Sequence, residues 1–157
     1  MTDGRERFHI GTTRFSDETW AENVAWRKKH NWTGCVYGLM KRMPRRVPDM
    51  GLVYVIEMNN STNKIMGIGL VRNFINWNNN SRIYELAPDY NRYVYNSAYR
   101  RDRDEISNKR MLEALELLVF KGFGHYKRGQ GITTIPSKRF KGDKVKNVIN
   151  KFFRSLF

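Results

Sequence analysis

Cysteine is almost absent from this chain. Cys35 is the one thiol among 157 residues, which excludes an internal disulfide and any zinc site built from cysteines. Histidine is scarce as well: His9, His30 and His125 are the full set, so no structural metal is expected, and no cofactor-binding motif is present. No apolar run approaches the roughly 18–20 residues that cross a bilayer, and the chain opens on the polar stretch Met1-Thr2-Asp3-Gly4-Arg5-Glu6-Arg7. The expectation is a soluble intracellular protein with no membrane partner. Acids are the other shortage, with 15 Asp and Glu against 29 Lys and Arg and a formal charge of +14.

Such an excess of cations points to a polyanionic partner, for which nucleic acid is the commonest candidate. The cations are interleaved with 21 aromatic residues, so they belong to a folded domain and not to a disordered basic tail. With neither an internal repeat nor a linker in view, residues 1–157 read as one α+β domain. Its C-terminal quarter, 121–157, holds ten Lys and Arg against one acid.

Periodicity supplies the elements. Arg7–Thr12 alternates Phe8 and Ile10 and predicts a first strand; Ser16 or Asp17 then caps a helix to about Lys29 that buries Trp20 and Val24, with Ala21 and Ala25 beside them. Lys41–Pro48, with two prolines and four cations, is a surface loop. Gly51–Met58 and Lys64–Val71 form a hairpin across Asn59–Asn63. Gly67 and Gly69 leave one face of its second strand bare, which calls for a ring or chain packed close, or for a bend that closes a barrel. Arg82–Leu86 and Arg92–Tyr95 read as further short strands. A helix from Asp104 or Ser107 to Lys121 stops at Gly122, and a last helix capped by Asp143 places Val145, Val148, Ile149, Phe152, Phe153 and Leu156 at helical spacing.

The densest chemistry lies between Gly122 and Lys141. Glycines let backbone N–H groups approach an anion, cations neutralise it, and ring faces stack on bases. Lys127, Arg128, Lys138 and Arg139, with Tyr126, are the expected phosphate-binding set. Trp32 sits in a turn and Trp77 in a polar, Asn-rich stretch, where an indole is as suited to walling a base as to plugging a core. The acids of Asp102–Glu105 are interleaved with arginines and read as a helix-start cap and not as a metal site. His125 has no evident orienting partner for general-base work.

Three segments resemble the YTH domains and their relatives in the PUA/EVE superfamily: Arg7–Thr12, Glu22-Asn23-Val24 and Trp32-Thr33, followed by the hairpin that ends in Gly67-x-Gly69. Gly11 stands where that family usually carries a Lys. The resemblance implies a small PUA/YTH-like β-barrel flanked by helices. It also implies a pocket for a modified base, with Asn23 reading the base edge, Trp32 and Trp77 sandwiching the ring and Thr33 adding a polar contact. The segment His125-x-Lys127-Arg128-Gly129-x-Gly131 is similar to one in small proteins of large DNA viruses. The expected function is a non-catalytic nucleic-acid-binding module, for RNA or single-stranded DNA. The alternatives are a viral structural or DNA-packaging protein lacking a base pocket, and a nucleic-acid-processing enzyme using His125 or the acids 102–105.

Overall fold

Alternation along one central strand sets the layering. In the computed structural model, which describes residues 6–77 and 82–157, β3 (Leu52–Asn59) is buried along its whole length. Its Leu52, Tyr54, Ile56 and Met58 point into one apolar cluster, and Val53 and Val55 into a second. A strand buried on both faces needs a packed layer on each side of its sheet, and β3 also has a strand paired on either edge.

The sheet has five strands in the order β6-β4-β3-β1-β7, where β1 is Phe8–Phe15, β4 is Lys64–Arg72, β6 is Arg100–Asp102 and β7 is Thr133–Thr134. β1 runs parallel to β3, and the other pairings are antiparallel. Helices α2 (Lys109–Phe120) and α3 (Asp143–Arg154) cover one face through Leu112, Leu115, Val119, Ile149 and Phe153. The other face carries a two-stranded antiparallel ribbon, β2 (Cys35–Leu39) with β5 (Tyr93–Ser97), and helix α1 (Asp17–Lys29).

This α+β architecture corrects the barrel expected from the family resemblance. The ribbon shares no strand ladder with the sheet, so the two remain separate and no closed barrel forms among the described residues. The bare face of β4 serves instead to admit the ribbon and a buried charge. A Cβ on Gly69 would collide with the Tyr37 hydroxyl and lie 2.8 Å from Cys35 Sγ. One on Gly67 would meet Arg100 Nη2 at 2.6 Å.

Into that space fits an ion pair. Arg100 donates to both Glu57 oxygens at 2.7 and 3.0 Å, Tyr37 donates to Glu57 Oε2 at 2.7 Å, and Arg100 Nη1 reaches Asp102 at 3.2 Å. Burial alone would lower the Arg100 pKa, but Glu57, by its charge and its hydrogen bonds, more than reverses this and raises it.

Several local expectations hold. Ser16 caps α1 through a reciprocal capping box with Thr19, the 52–59/64–72 hairpin forms, and Gly122 follows α2 at φ +75°. Asp102 and Glu105 make a second capping box, on the short turn Arg103–Glu105. Others do not hold. Arg82–Leu86 is no strand, because the N–H groups of Ile83 and Tyr84 bond to Asn91 Oδ1, each at 3.0 Å, in place of a neighbouring strand. α2 starts at Lys109, after the Asn108 cap, and not at Asp104 or Ser107. Gly142, at φ +90°, occupies the cap position before α3, which makes Asp143 its first helical residue. Contact of α3 with the sheet starts at Ile149, so Val145 and Val148 are exposed. Ala21 and Ala25 are exposed too, since α1 docks through Asn23 and the half-buried Trp20. The loop 41–48 nevertheless buries Met43 and Val47.

Removing one partner of a buried ion pair strands the other. Glu57→Gln should therefore lower unfolding free energy by about 3 kcal/mol or more in urea titrations. Asp102→Asn, at a carboxylate whose side chain is 44% exposed, should change it by less than about 1 kcal/mol.

Candidate functional site

A cavity of about 310 Å³ opens where β1 ends and α1 begins. Its floor and walls are built by strand alternation. Thr13 and Phe15 point from β1 toward the ribbon layer, Tyr37 and Leu39 come from β2, and Met40 follows β2 at the rim. Ser16 and Thr19 add hydroxyls from the first turn of α1.

Tyr84 and Tyr90 close one side, with ring centroids 6.1 Å apart and planes at 82°. They come from an irregular segment that is held in place at three points. Asn91 ties the segment back to its start, accepting from the N–H groups of Ile83 and Tyr84 and donating to the Tyr84 carbonyl at 2.7 Å. Glu22 of α1 accepts from the N–H groups of Glu85 and Leu86, both at 3.2 Å. Gly38 lets the segment lie directly on β2, since a Cβ there would come within 2.5 Å of the Tyr90 carbonyl.

Gln130 and Gly131 form the remaining rim and tie the cavity to the basic segment. The Lys127 carbonyl accepts from Asn60 Nδ2 at 2.8 Å and from Arg14 Nη1 at 3.3 Å, so the loop is pinned to the hairpin turn and to the end of β1. Asn60 and Arg14 themselves border the cavity, and the buried Asn60 Oδ1 has no hydrogen-bond partner among the described residues. No Asp or Glu lies among the cavity's lining residues.

No family model matches this chain. Neither a curated protein nor a solved structure matches it.

The structure redistributes the residues singled out from sequence. Asn23 is only 2% exposed, and both its amide hydrogens are used, on the Val36 carbonyl at 2.8 Å and the Tyr84 hydroxyl at 3.0 Å, while its oxygen accepts from Arg27 Nε at 2.9 Å. It holds the pocket wall and cannot read a base edge. Trp32 donates to the Cys35 carbonyl at 3.0 Å, at one end of the ribbon, and Thr33 beside it is exposed. Trp77 packs edge-on against Tyr93, at the other end, with the Arg42 guanidinium 5.5 Å from its ring. Four residue steps of strand separate the two ends, about 13 Å, so the indoles form no sandwich.

Within the basic segment the set divides. Arg139 donates to the Gly124 carbonyl at 3.0 Å and to the Tyr126 hydroxyl at 3.2 Å, and its guanidinium lies 5.4 Å from the Tyr126 ring. These two residues shape the loop. The side chains of Lys127, Arg128 and Lys138 make no hydrogen bond or ion pair among the described residues. His125 Nδ1 accepts from the Lys127 N–H at 3.2 Å. Among the described residues no group of three or more His, Cys, Asp or Glu could hold a metal ion, and no helix is long and apolar enough to cross a membrane.

Sequence reasoning missed Tyr84, Tyr90, Thr13 and Gln130. Two tyrosines close to Pro88, Asp89 and Asn91, residues that favour turns, were a legible signal for a fixed aromatic wall, but the β-branched and aromatic content of 82–86 read as strand.

Asn23→Ala would remove three hydrogen bonds, to the Val36 carbonyl, the Tyr84 hydroxyl and Arg27 Nε. The expected loss is about 1–3 kcal/mol in thermal or urea unfolding. Ionisation under the ribbon gives a second test. Burial pushes the Cys35 thiol from 9.0 up to about 11, an effect moderated by the Ser97 hydroxyl, and burial together with Glu57 raises the Tyr37 phenol well above its usual value. The folded chain keeps protons that the unfolded chain releases. Stability present below pH 9 should therefore fall as pH rises toward 11, by about 2–3 kcal/mol for the thiol alone, and Cys35→Ala should flatten that part of a pH–stability profile.

Proposed function

We propose that this protein binds single-stranded nucleic acid, taking one base into the cavity at the end of β1 and holding the adjoining backbone with Lys127 and Arg128. The observation that carries the reading is the pinning of the basic loop, through the Lys127 carbonyl, to Asn60 and Arg14 on the rim of an aromatic-walled cavity. That arrangement puts phosphate-binding charge next to a pocket of the size and mixed polarity that suit a planar, nitrogen-rich ring.

Roles follow from chemistry. Tyr90, half-buried beside the fixed Tyr84, offers a ring for stacking, which contributes about 1–3 kcal/mol per base. The Thr13 hydroxyl, the Gln130 amide and Asn60 Oδ1 supply donors and acceptors for a base edge, and the apolar Leu39 and Met40 give a methyl-bearing base a surface on which to desolvate. Arg14, exposed at the mouth, adds a cation. A relation to the PUA and YTH domains is part of the proposal and rests on the motifs at Arg7–Thr12, Glu22–Val24 and Trp32–Thr33. In this reading tyrosines on the 84–90 segment stand in for the tryptophan cage.

Titration of fluorescent RNA and DNA oligonucleotides, modified and unmodified, single- and double-stranded, at two salt concentrations tests this. Tyr90→Ala should weaken single strands by about 5- to 150-fold with an unchanged salt slope. Lys127→Gln with Arg128→Gln should weaken every strand and lower the slope by about 1.4. Equal losses on duplex and single strand for Tyr90→Ala, or none, would overturn the pocket and leave a packaging protein that reads only charge.

A further inference from the structure

β7 is two residues long, and a cavity opens at each of its ends. The first, described above, is bordered by Gln130 and Gly131 before the strand. A second, of about 360 Å³, is bordered by Thr134–Ser137 at and after it. Along β1, which pairs with β7, the second lies at Phe8–Ile10 and the first at Thr13–Phe15. Two segments therefore run past both openings. The loop after β2 does so as well: Met40 borders the first cavity and Arg46 the second, and Lys41 packs by Gly131, where a Cβ would lie 3.6 Å from that of Lys41.

Three cationic or basic side chains from separate parts of the chain meet at the second cavity: His9 of β1, Arg46 of the proline-containing loop and Lys146 of α3. None has a hydrogen-bond or ion-pair partner among the described residues, and no Asp or Glu lines the opening. Arg46 and Lys146 approach from separate elements with no carboxylate lining the opening to balance them, a setting that favours an anion. Buried Phe140 and half-buried Phe8 provide an apolar floor beside them. The distance from Gly131 to Pro136 is about 16 Å of extended chain, the reach of roughly three to five nucleotides.

We infer that this cavity is a second subsite, seating a phosphate of the same single strand whose base enters the first, so that the strand passes round the β1–β7 edge from the ribbon face, which carries the first cavity, to the helix face, which carries the second. The inference rests on the proposed base pocket, and it adds direction and length: the ligand is an oligonucleotide of several residues and not a mononucleotide. Arg46 and Lys146 neutralise the distal phosphate, the His9 imidazole can hydrogen-bond it, and Asn150 lies within the same opening.

The test compares oligonucleotides of two and eight nucleotides, as RNA and as DNA, against the intact protein and the double variant Arg46→Gln, Lys146→Gln. Both positions lie outside the core, so the variant should fold, as circular dichroism would verify. The eight-nucleotide strand should bind wild type at least tenfold more tightly than the dinucleotide. The double variant should remove most of that advantage, lower the salt slope on the longer strand by about 1.4 and leave the dinucleotide unchanged. Arg110→Gln, on the helix packed against β4, should do none of this. If Tyr90→Ala weakens both lengths but the double variant acts on neither, the second subsite falls and the base pocket stands. If the double variant weakens only the long strand while Tyr90→Ala has no effect, the base pocket falls and the basic edge stands. Length-independent binding, or no binding to any strand, would overturn the inference.

Discussion

Glu57 is an acid in a chain with few of them, and it occupies the middle of the structure. Its carboxylate lies between β3, which carries it, β6, which supplies Arg100, and β2, which supplies the Tyr37 hydroxyl. One anion thus joins the edge of the sheet to the ribbon laid over its face. The two glycines of β4 exist in that light: side chains at 67 or 69 would fill the space that the guanidinium and the phenol need. Trp20 caps the assembly with its ring 5.5 Å from the Arg100 guanidinium, and Arg27, lowered in pKa by burial and by the nearby Arg100 charge, stacks at 5.3 Å on the same indole. An apolar substitute could pack as well, but it would not specify which strand faces which. With Tyr37 fixed by this pair, the ribbon is fixed, and with it the wall of the cavity.

Cavity walls and basic segments are separated in the chain and rejoined in space. Most of the cavity comes from residues 13–40 and 84–90, with Asn60, Gln130 and Gly131 completing its rim, whereas cations without an ion-pair partner among the described residues, such as Arg46, Lys127 and Lys146, come from 41–46 and 127–146. Backbone groups do the joining, because the Lys127 carbonyl is the acceptor for both Asn60 and Arg14. Such a contact survives changes of the Lys127 side chain. It leaves the ammonium free for an anion while the main chain sets its position, which is how a loop can be both anchored and charged.

Local rules carried much of the fold. The capping box at Ser16, the hairpin across Asn59–Asn63, the stop at Gly122 and the close packing implied by Gly67 and Gly69 all follow from short-range chemistry legible in the residues. What failed required knowledge of distant partners. Residues 82–86 have strand composition but satisfy their N–H groups on the Asn91 side chain. Val145 and Val148 have helical spacing but precede the point at which α3 meets the sheet. Trp32 and Trp77 are each plausible ring walls, and only the register of β2 against β5 shows that they stand at opposite ends of one ribbon. The basic segment was legible as charge, yet its division into loop-shaping Arg139 and Tyr126 and uncommitted Lys127, Arg128 and Lys138 depended on which carbonyls and rings lay within reach.

The motif Glu22-Asn23 keeps a place in the site, though a different one from direct contact with a ligand. Glu22 accepts from the backbone of Glu85 and Leu86, and Asn23 clamps the Tyr84 hydroxyl to the Val36 carbonyl. Two adjacent polar residues on one helix therefore fix the ring and the main chain of the cavity wall at once. The Asn23 bonds are buried and those of Glu22 are exposed, so moving the wall would unpair buried groups chiefly at Asn23, whereas Tyr90, on its short turn, has no such clamp on its hydroxyl among the described residues. The cavity then has one rigid side and one adjustable side. A planar ring entering it, as proposed, would meet Tyr84 in a position that Glu22 and Asn23 of α1 set.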